Sequence, residues 1–248
     1  MVNELVIRLR SAVALAGRYP LLAGADLDVR AGEIVVIKGA NGSGKTSLLR
    51  VLAGLLPLAA GEASVLGLDP TGDARALRRQ VGLLGHRNGL YDDLSAGENV
   101  RFAARAARVS KEAVPDALGR LGIRDNLVSM PAGRLSAGQR RRVALAALLV
   151  RKPQLWLLDE PHAGLDAEHR ELLDALLREV TGGGATVVVA SHEERASDVL
   201  AGRVVTMSGG TVLDGLLAGS SGEAHVDGGA VHHELVGELS PDGVASAV

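Results

Sequence analysis

Short, almost unbroken apolar runs alternate with segments of helical periodicity along most of the chain. Residues 34–37, 81–84, 155–158, 186–190 and 204–207 are the runs, and they read as strands buried on both faces of a parallel sheet. With helical stretches between them, they predict a βαβ layout. Ahead of them, residues 4–10 and 22–30 alternate apolar with polar positions, which predicts a half-exposed antiparallel layer at the N-terminus. From about residue 88 to 152 the strand pattern stops and helical spacing takes over, so an inserted helical subdomain is expected there. Ser95-Ala96-Gly97-Glu98 forms a capping box ahead of the stripe Val100, Ala103, Ala104, Ala107. A second helix is predicted over residues 111–121, with Val114, Leu118 and Leu121 facing inward. After about residue 215 the chain becomes rich in Gly, Ser, Asp, His and Ala, broken only by Val231, Leu235, Val236 and Leu239. The expected organisation is therefore one domain over residues 1–215 and a flexible C-terminal tail over 216–248.

Composition narrows the function classes. The 248 residues are 47% hydrophobic, enough for one good core. Aromatics make up only 2%, so Leu, Val, Ile and Ala must build it. A formal charge of −2 argues against the broad basic surface of an autonomous nucleic-acid binder. The absence of cysteine excludes a disulfide framework, thiolate metal ligation and haem attachment through cysteine. No apolar run reaches the roughly 18 to 20 residues of a membrane-spanning helix, and the first residues do not begin a signal peptide. The expectation is a cytosolic chain whose membrane role, if it has one, comes through a partner.

The chemistry concentrates at the ends of the apolar runs. Gly39-Ala40-Asn41-Gly42-Ser43-Gly44-Lys45-Thr46 follows the run at 34–37 and opens a helix rich in leucine. In that context it reads as a phosphate-binding loop rather than a plain glycine turn. Converging backbone N–H groups and the helix dipole favour phosphate, Lys45 would bridge the β- and γ-phosphates, and Thr46 would ligand Mg²⁺. Nucleotide kinases and GTPases share such a loop. The run at 155–158 ends in Asp159 and Glu160, where a parallel sheet presents its ligand site. Alone, such a pair reads as a helix N-cap. Behind a phosphate loop, Asp159 would hold Mg²⁺ through water and Glu160 would polarise the attacking water.

Leu135-Ser136-Ala137-Gly138-Gln139, about twenty residues before that strand, is a second capping box with Val143, Ala146, Ala147 and Val150 as the buried stripe behind it. The pentapeptide resembles the signature of the ABC ATPase family, usually LSGGQ, with Ala137 in place of a glycine. The resemblance covers about residues 4–215 and implies a P-loop NTPase core. It also implies a head-to-tail dimer with a second ATPase subunit, in which Ser136, Gly138 and Gln139 complete the partner's ATP site. A monomer would then be nearly inactive, and the reaction would be cleavage of the β–γ phosphate bond. Ala163-Gly164-Leu165-Asp166 matches the family's D-loop, and Asp166 can cap a helix at the same time. His192, after the run at 186–190, matches the histidine that contacts the γ-phosphate. His86 is the nearest counterpart of a glutamine that serves Mg²⁺ and the lytic water; otherwise its loop only reports on the transporter. Tyr19 would stack on adenine or is a plain turn residue before Pro20. His162 stands where relatives often carry threonine and reads as a tolerated surface change. The basic run Arg140-Arg141-Arg142 reads as a solvated face, and His225, His232 and His233 read as solvated rather than metal- or haem-ligating.

Within the family, Leu84-Gly85-His86, Gly89-Leu90 and Leu94-Ser95-Ala96-Gly97-Glu98-Asn99-Val100 are most similar to the ATPase of the haem exporter used in cytochrome c maturation. That similarity implies ATP and Mg²⁺ as cofactors, an integral membrane transporter subunit as partner at the cytoplasmic face, and no nucleic acid. An ATPase for export of drugs, lipids or polysaccharide remains the first alternative. A soluble ABC ATPase acting on ribosomes or DNA is the second; it usually needs tandem cassettes or a long coiled-coil insertion, and the sequence has neither.

Overall fold

The computed structural model describes residues 4–192, 200 and 202–216. Two sheets divide the strands between them. Strand β1 (Leu5–Ala16) turns through Gly17, whose φ is +62°, into β2 (Tyr19–Arg30), a conformation that favours glycine. β4 (Ala60–Val65) pairs antiparallel to the other side of β1, so the first sheet runs β2-β1-β4. Ile7 and Leu9 are buried with Leu22, Ala25, Leu27 and Val29, as the alternation over 4–10 and 22–30 predicts, and the burial continues through Ala12 and Ala14.

The second sheet has the order β5-β6-β7-β3-β8-β9. Its members are β3 (Ile34–Lys38), β5 (Val81–Leu84), β6 (Leu155–Asp159), β7 (Thr186–Ala190), β8 (Arg203–Ser208) and β9 (Thr211–Leu213). All pair in parallel except β9, which returns antiparallel beside β8. Registration positions the chemistry: Ile37 and Asp159 both lie opposite Ala190, so the chain leaves three adjacent strands at one edge, toward Gly39, Glu160 and Ser191.

The helices are α1 (Lys45–Leu52), α2 (Ala74–Gln80), α3 (Ala96–Ala106), α4 (Ala113–Arg120), the short α5 (Asn126–Ser129), α6 (Ala137–Arg151) and α7 (Ala167–Gly182). The helix expected over 111–121 is α4, with residues 111–112 in a turn, and Val114, Leu118 and Leu121 are buried as predicted. The sequence pattern does not announce α2, β4 or β9. The apolar side chains form two clusters, one on each face of the second sheet. On one face Ile34, Val36, Trp156, Leu158, Val187 and Val189 pack with α3, α4, α6 and α7. On the other, Val35, Ile37, Leu155, Leu157 and Val188 pack with α1 and the antiparallel sheet.

Both capping boxes form. Ser95 Oγ accepts from Glu98 N at 3.2 Å while Ser95 N donates to Glu98 Oε2 at 2.8 Å. Ser136 and Gln139 repeat the arrangement at 3.2 and 2.9 Å. Ser95→Ala is expected to destabilise the fold by about 1 kcal/mol, measured as a shift in the urea midpoint at unchanged slope. The bond from the Ser95 backbone, and then its hydroxyl, hold the Glu98 carboxyl below the usual carboxylate range. A lowered folded-state value means that this contribution is present above the ordinary pKa and is lost as pH falls through the folded one, so the difference between the two proteins shrinks in acid. Next to this cap, buried Asn99 accepts from Tyr91 N and donates to the carbonyls of Tyr91, Leu94 and Ser95, fastening the preceding loop onto α3.

The expected tail, apart from Leu216, and His225, His232 and His233 lie outside the described residues.

Candidate functional site

The loop at 39–46 leaves β3 and enters α1 under tight steric constraint. A Cβ on Gly39 would sit 2.3 Å from the Met207 carbonyl oxygen, and one on Gly44 would sit 2.7 Å from the Leu21 carbonyl oxygen. Both neighbours are backbone, so only glycine fits, and the loop's shape is set by β2 and β8 beneath it. Lys45 is buried and its Nζ donates to the carbonyls of Gly39 and Ala40 at 2.6 and 2.9 Å. The Ser43 hydroxyl is buried with no hydrogen-bond partner among the described residues.

A cavity of about 500 Å³ opens beside this loop, and its lining brings together Asn41, Lys45, Thr46, His86, Asp159 and Glu160. Thr46 Oγ1 donates to Asp159 Oδ2 at 2.8 Å, placing two hard oxygens together at the loop's end. Glu160 departs sharply from the strand. Its φ is +48°, a costly value for a non-glycine residue, and its N–H still donates to Ala190 O at 2.9 Å. That turn aims the two carboxylates differently, Asp159 at Thr46 and Glu160 at the end of β7. Glu160 Oε1 accepts from His192 N at 3.1 Å and lies 2.7 Å from His192 Nδ1, while Ser191 Oγ donates to Oε2 at 3.3 Å. A carboxylate fixed by three such contacts is positioned to take a proton from a water. Tyr19 begins β2 with 78% exposure; it is Pro20 and Leu21 beside it that line the cavity.

Ser136, Gly138 and Gln139 lie at the start of α6 and Asp166 at the start of α7. Gly138 packs so closely on the turn before α7 that a Cβ there would come within 2.5 Å of the Gly164 carbonyl oxygen. Asp166 caps α7, its Oδ1 accepting from His169 N at 2.9 Å and lying 2.6 Å from His169 Nδ1. The His169 backbone bond, then its ring, hold the Asp166 carboxyl below its ordinary range.

Two expectations are corrected. Arg140-Arg141-Arg142 is no solvated face. Arg140 pairs with Asp92 at 2.6 Å and donates to Ala132 O, and Arg142 donates to the carbonyls of Leu121 and Gly122. Arg141 is only 5% exposed and its guanidinium donates to the carbonyls of Gly85, Asp159, Glu160 and Pro161. The apolar spacing held the signal: Arg141 lies three, four and seven residues before the buried Ala144, Leu145 and Leu148, on their helical face. His162 is no surface change either. It is 6% exposed and its Nε2 lies 2.7 Å from Oδ1 of buried Asp174 in α7. Arg141, Asp174 and Ser191 are thus members of the site's framework that the sequence did not mark.

Comparison with known proteins agrees with this geometry. The ABC transporter family profile matches residues 22–163, more than half of the chain and inclusive of the phosphate loop, the α6 N-terminus and the carboxylate pair. The cytochrome c biogenesis ATP-binding export protein CcmA of Bordetella bronchiseptica is 45% identical over 179 residues, covering 71% of this chain and 77% of that protein. CcmA 2 of Cupriavidus metallidurans is 40% identical over 192 residues, covering 77% and 90%. A dimeric ATP-binding cassette in a post-hydrolysis state, bound to ADP and Pi, superposes with a TM-score of 0.77 at 25% identity, covering 83% of this chain and 96% of that one. With the phosphate loop, the strand-end carboxylates, the glutamate–histidine contact and the capped signature helix in these positions, the chain belongs to the ABC transporter family as an ATP-hydrolysing, ATP-binding subunit.

Proposed function

We propose that this chain works as one half of an ATP sandwich dimer that drives haem export for cytochrome c maturation, from the cytoplasmic face and through a separate integral membrane subunit. The ATPase domain occupies residues 1–215, with the helical subdomain at about 88–152. The observation that carries this reading is that two half-sites exist apart in one chain. The phosphate-loop cavity has Lys45, Thr46, Asp159, Glu160 and His86 on its walls, while the α6 N-terminus with Ser136, Gly138 and Gln139 lies elsewhere. Head-to-tail pairing would let each complete the other.

In such a site residues 39–46 cradle the ATP phosphates, and Lys45 moves a donor from its own loop carbonyls to the β- and γ-oxygens. The Thr46–Asp159 pair fits Mg²⁺, which takes oxygen ligands and few protein groups; among the described residues no cluster of three metal-ligating side chains competes with it. Mg²⁺ would offset charge on the phosphate oxygens. Glu160 orients the water and accepts its proton as the water oxygen attacks the γ-phosphorus, the β–γ bridging bond breaks, and ADP and phosphate form. His192 steadies Glu160 through Oε1 and faces the γ-phosphate. The partner's Ser136 and helix N-terminus add donors where negative charge gathers. His86 holds water at the open side, and Tyr19 stands at the adenine end.

No helix among the described residues is long and apolar enough to cross a membrane. The groove between the second sheet and the helical subdomain suits a membrane partner. Tyr91 and Phe102, 54% and 52% exposed, meet edge to face at 5.2 Å beside Leu83, Leu90 and Ala103.

The test is to trap the Glu160→Gln protein with ATP in solubilised host membranes and identify what co-purifies. A multi-spanning subunit carrying haem supports the proposal. A different permease retains the transporter and removes haem as cargo; ribosomes or DNA would overturn the transporter reading.

A further inference from the structure

The buried guanidinium of Arg141 ties the backbone around Glu160 to the loop that carries His86. From the second turn of α6 it donates to Gly85 O at 2.8 Å, Asn88 Oδ1 at 3.2 Å, Glu160 O at 2.6 Å, Pro161 O at 3.4 Å, and to Asp159 O. Gly85 and Asn88 bracket His86, and Asp159, Glu160 and Pro161 are the left-handed turn that aims the hydrolytic carboxylate. These acceptors are neutral oxygens; burial pushes the guanidinium's pKa down, and the nearby charges of Asp159 and Glu160 offset only part of that. A cation so placed is poor value for stability alone, since apolar packing of the same volume does as well. What the fork does supply is geometry: planar donors that lock several carbonyls at fixed angles.

Gly138 lies three residues earlier in α6, and it contacts Gly164. The i, i+3 spacing puts Gly138 and Arg141 on one helical face, so α6 grips the segment from Asp159 to Gly164 at both ends. We infer that Arg141 is a positioning residue that makes this segment, and the loop carrying His86, move with α6. Engagement of the α6 N-terminus by nucleotide in one site of the dimer then sets the aim of Glu160 in the other. This rests on the head-to-tail reading above.

The test compares the full-length protein with Arg141→Met, which keeps the stem and removes the donors, and Arg141→Lys, whose single ammonium cannot span both groups of carbonyls. ATP turnover is measured against ATP concentration, alongside affinity for a fluorescent ATP analogue. The expected result for both variants is a fall in kcat of at least about 10-fold, with analogue affinity within about threefold of wild type and the Hill coefficient for ATP reduced to one. Turnover and Hill coefficient both near wild type, or a loss of kcat matched by an equal loss of affinity, would overturn the inference. If neither variant folds, Asn88→Ala removes one acceptor without stranding the cation; a lowered Hill coefficient supports the coupling and an unchanged one overturns it. Wild-type and Glu160→Gln proteins that both remain monomeric with ATP bound would instead bring down the dimer reading beneath it.

Discussion

Glu160→Gln is expected to lower ATP turnover by about 10²- to 10⁴-fold, the usual contribution of a positioned general base, while ATP binding survives. Glutamine keeps the shape of the side chain. Its carbonyl oxygen can still accept from His192 N and face Nδ1, the two contacts now made by Oε1 at 3.1 and 2.7 Å. The turn at φ +48° also stays, because it is held through backbone groups by Ala190 and Arg141. What disappears is the capacity to take a proton. Single-turnover release of phosphate, set beside nucleotide binding, separates the two effects, and wild-type turnover in the variant would remove Glu160 from the proton-accepting role. Trapping the ATP-bound dimer should follow from the same loss, since the step that opens it has been slowed.

Gly138→Ala should be almost as damaging for a different reason. The added Cβ meets the Gly164 carbonyl oxygen at 2.5 Å, and both partners are backbone, so the helix start or the turn must shift by the better part of an ångström. A displacement of that order at a site needing aligned donors costs about 10²-fold in rate. The phosphate loop of the same chain is untouched, so nucleotide affinity of the isolated subunit should not change. Mixing supplies the sharper test. In a head-to-tail dimer of one Gly138→Ala chain and one Glu160→Gln chain, one site carries both lesions and the other carries neither. Activity recovered on mixing two nearly inactive proteins would fix the sharing of sites between subunits; no recovery would contradict it.

The fold was legible where side-chain pattern and burial coincide. The apolar runs at 34–37, 81–84, 155–158 and 186–190 became parallel strands because both faces of the sheet are covered there, while the run at 204–207 became a parallel strand with Val204 and Thr206 exposed, and the two capping boxes formed because their partners are three residues apart. β4 escaped because most of Ala60–Val65 is exposed or half-exposed, so no apolar pattern marks it, and β9 has only three residues, none fully buried. In the site, glycines and strand-end carboxylates declared themselves through local sequence. Arg141 and His162 did not. Their partners are carbonyls 18 to 56 residues away and an aspartate on the next helix; for Arg141 only the spacing to Ala144, Leu145 and Leu148 carried a signal, and the run of three arginines masked it. Tyr19 shows the converse. The only aromatic upstream of the phosphate loop invites a stacking role, yet the side chain stands largely in solvent while its neighbours line the cavity.

The alternation of side chains along β6 has a thermodynamic consequence. Leu155 and Leu157 belong to the cluster shared with α1 and the antiparallel layer, whereas Trp156 and Leu158 belong to the one shared with α6 and the helical subdomain. One strand is the party wall of two oily compartments. Cavities opened on opposite sides of it share few neighbours, so their energetic penalties should come close to adding. Repacking the helical side to suit a different membrane partner can therefore proceed without retuning the side that grips phosphate, which gives the cassette a modularity that its single continuous sheet conceals.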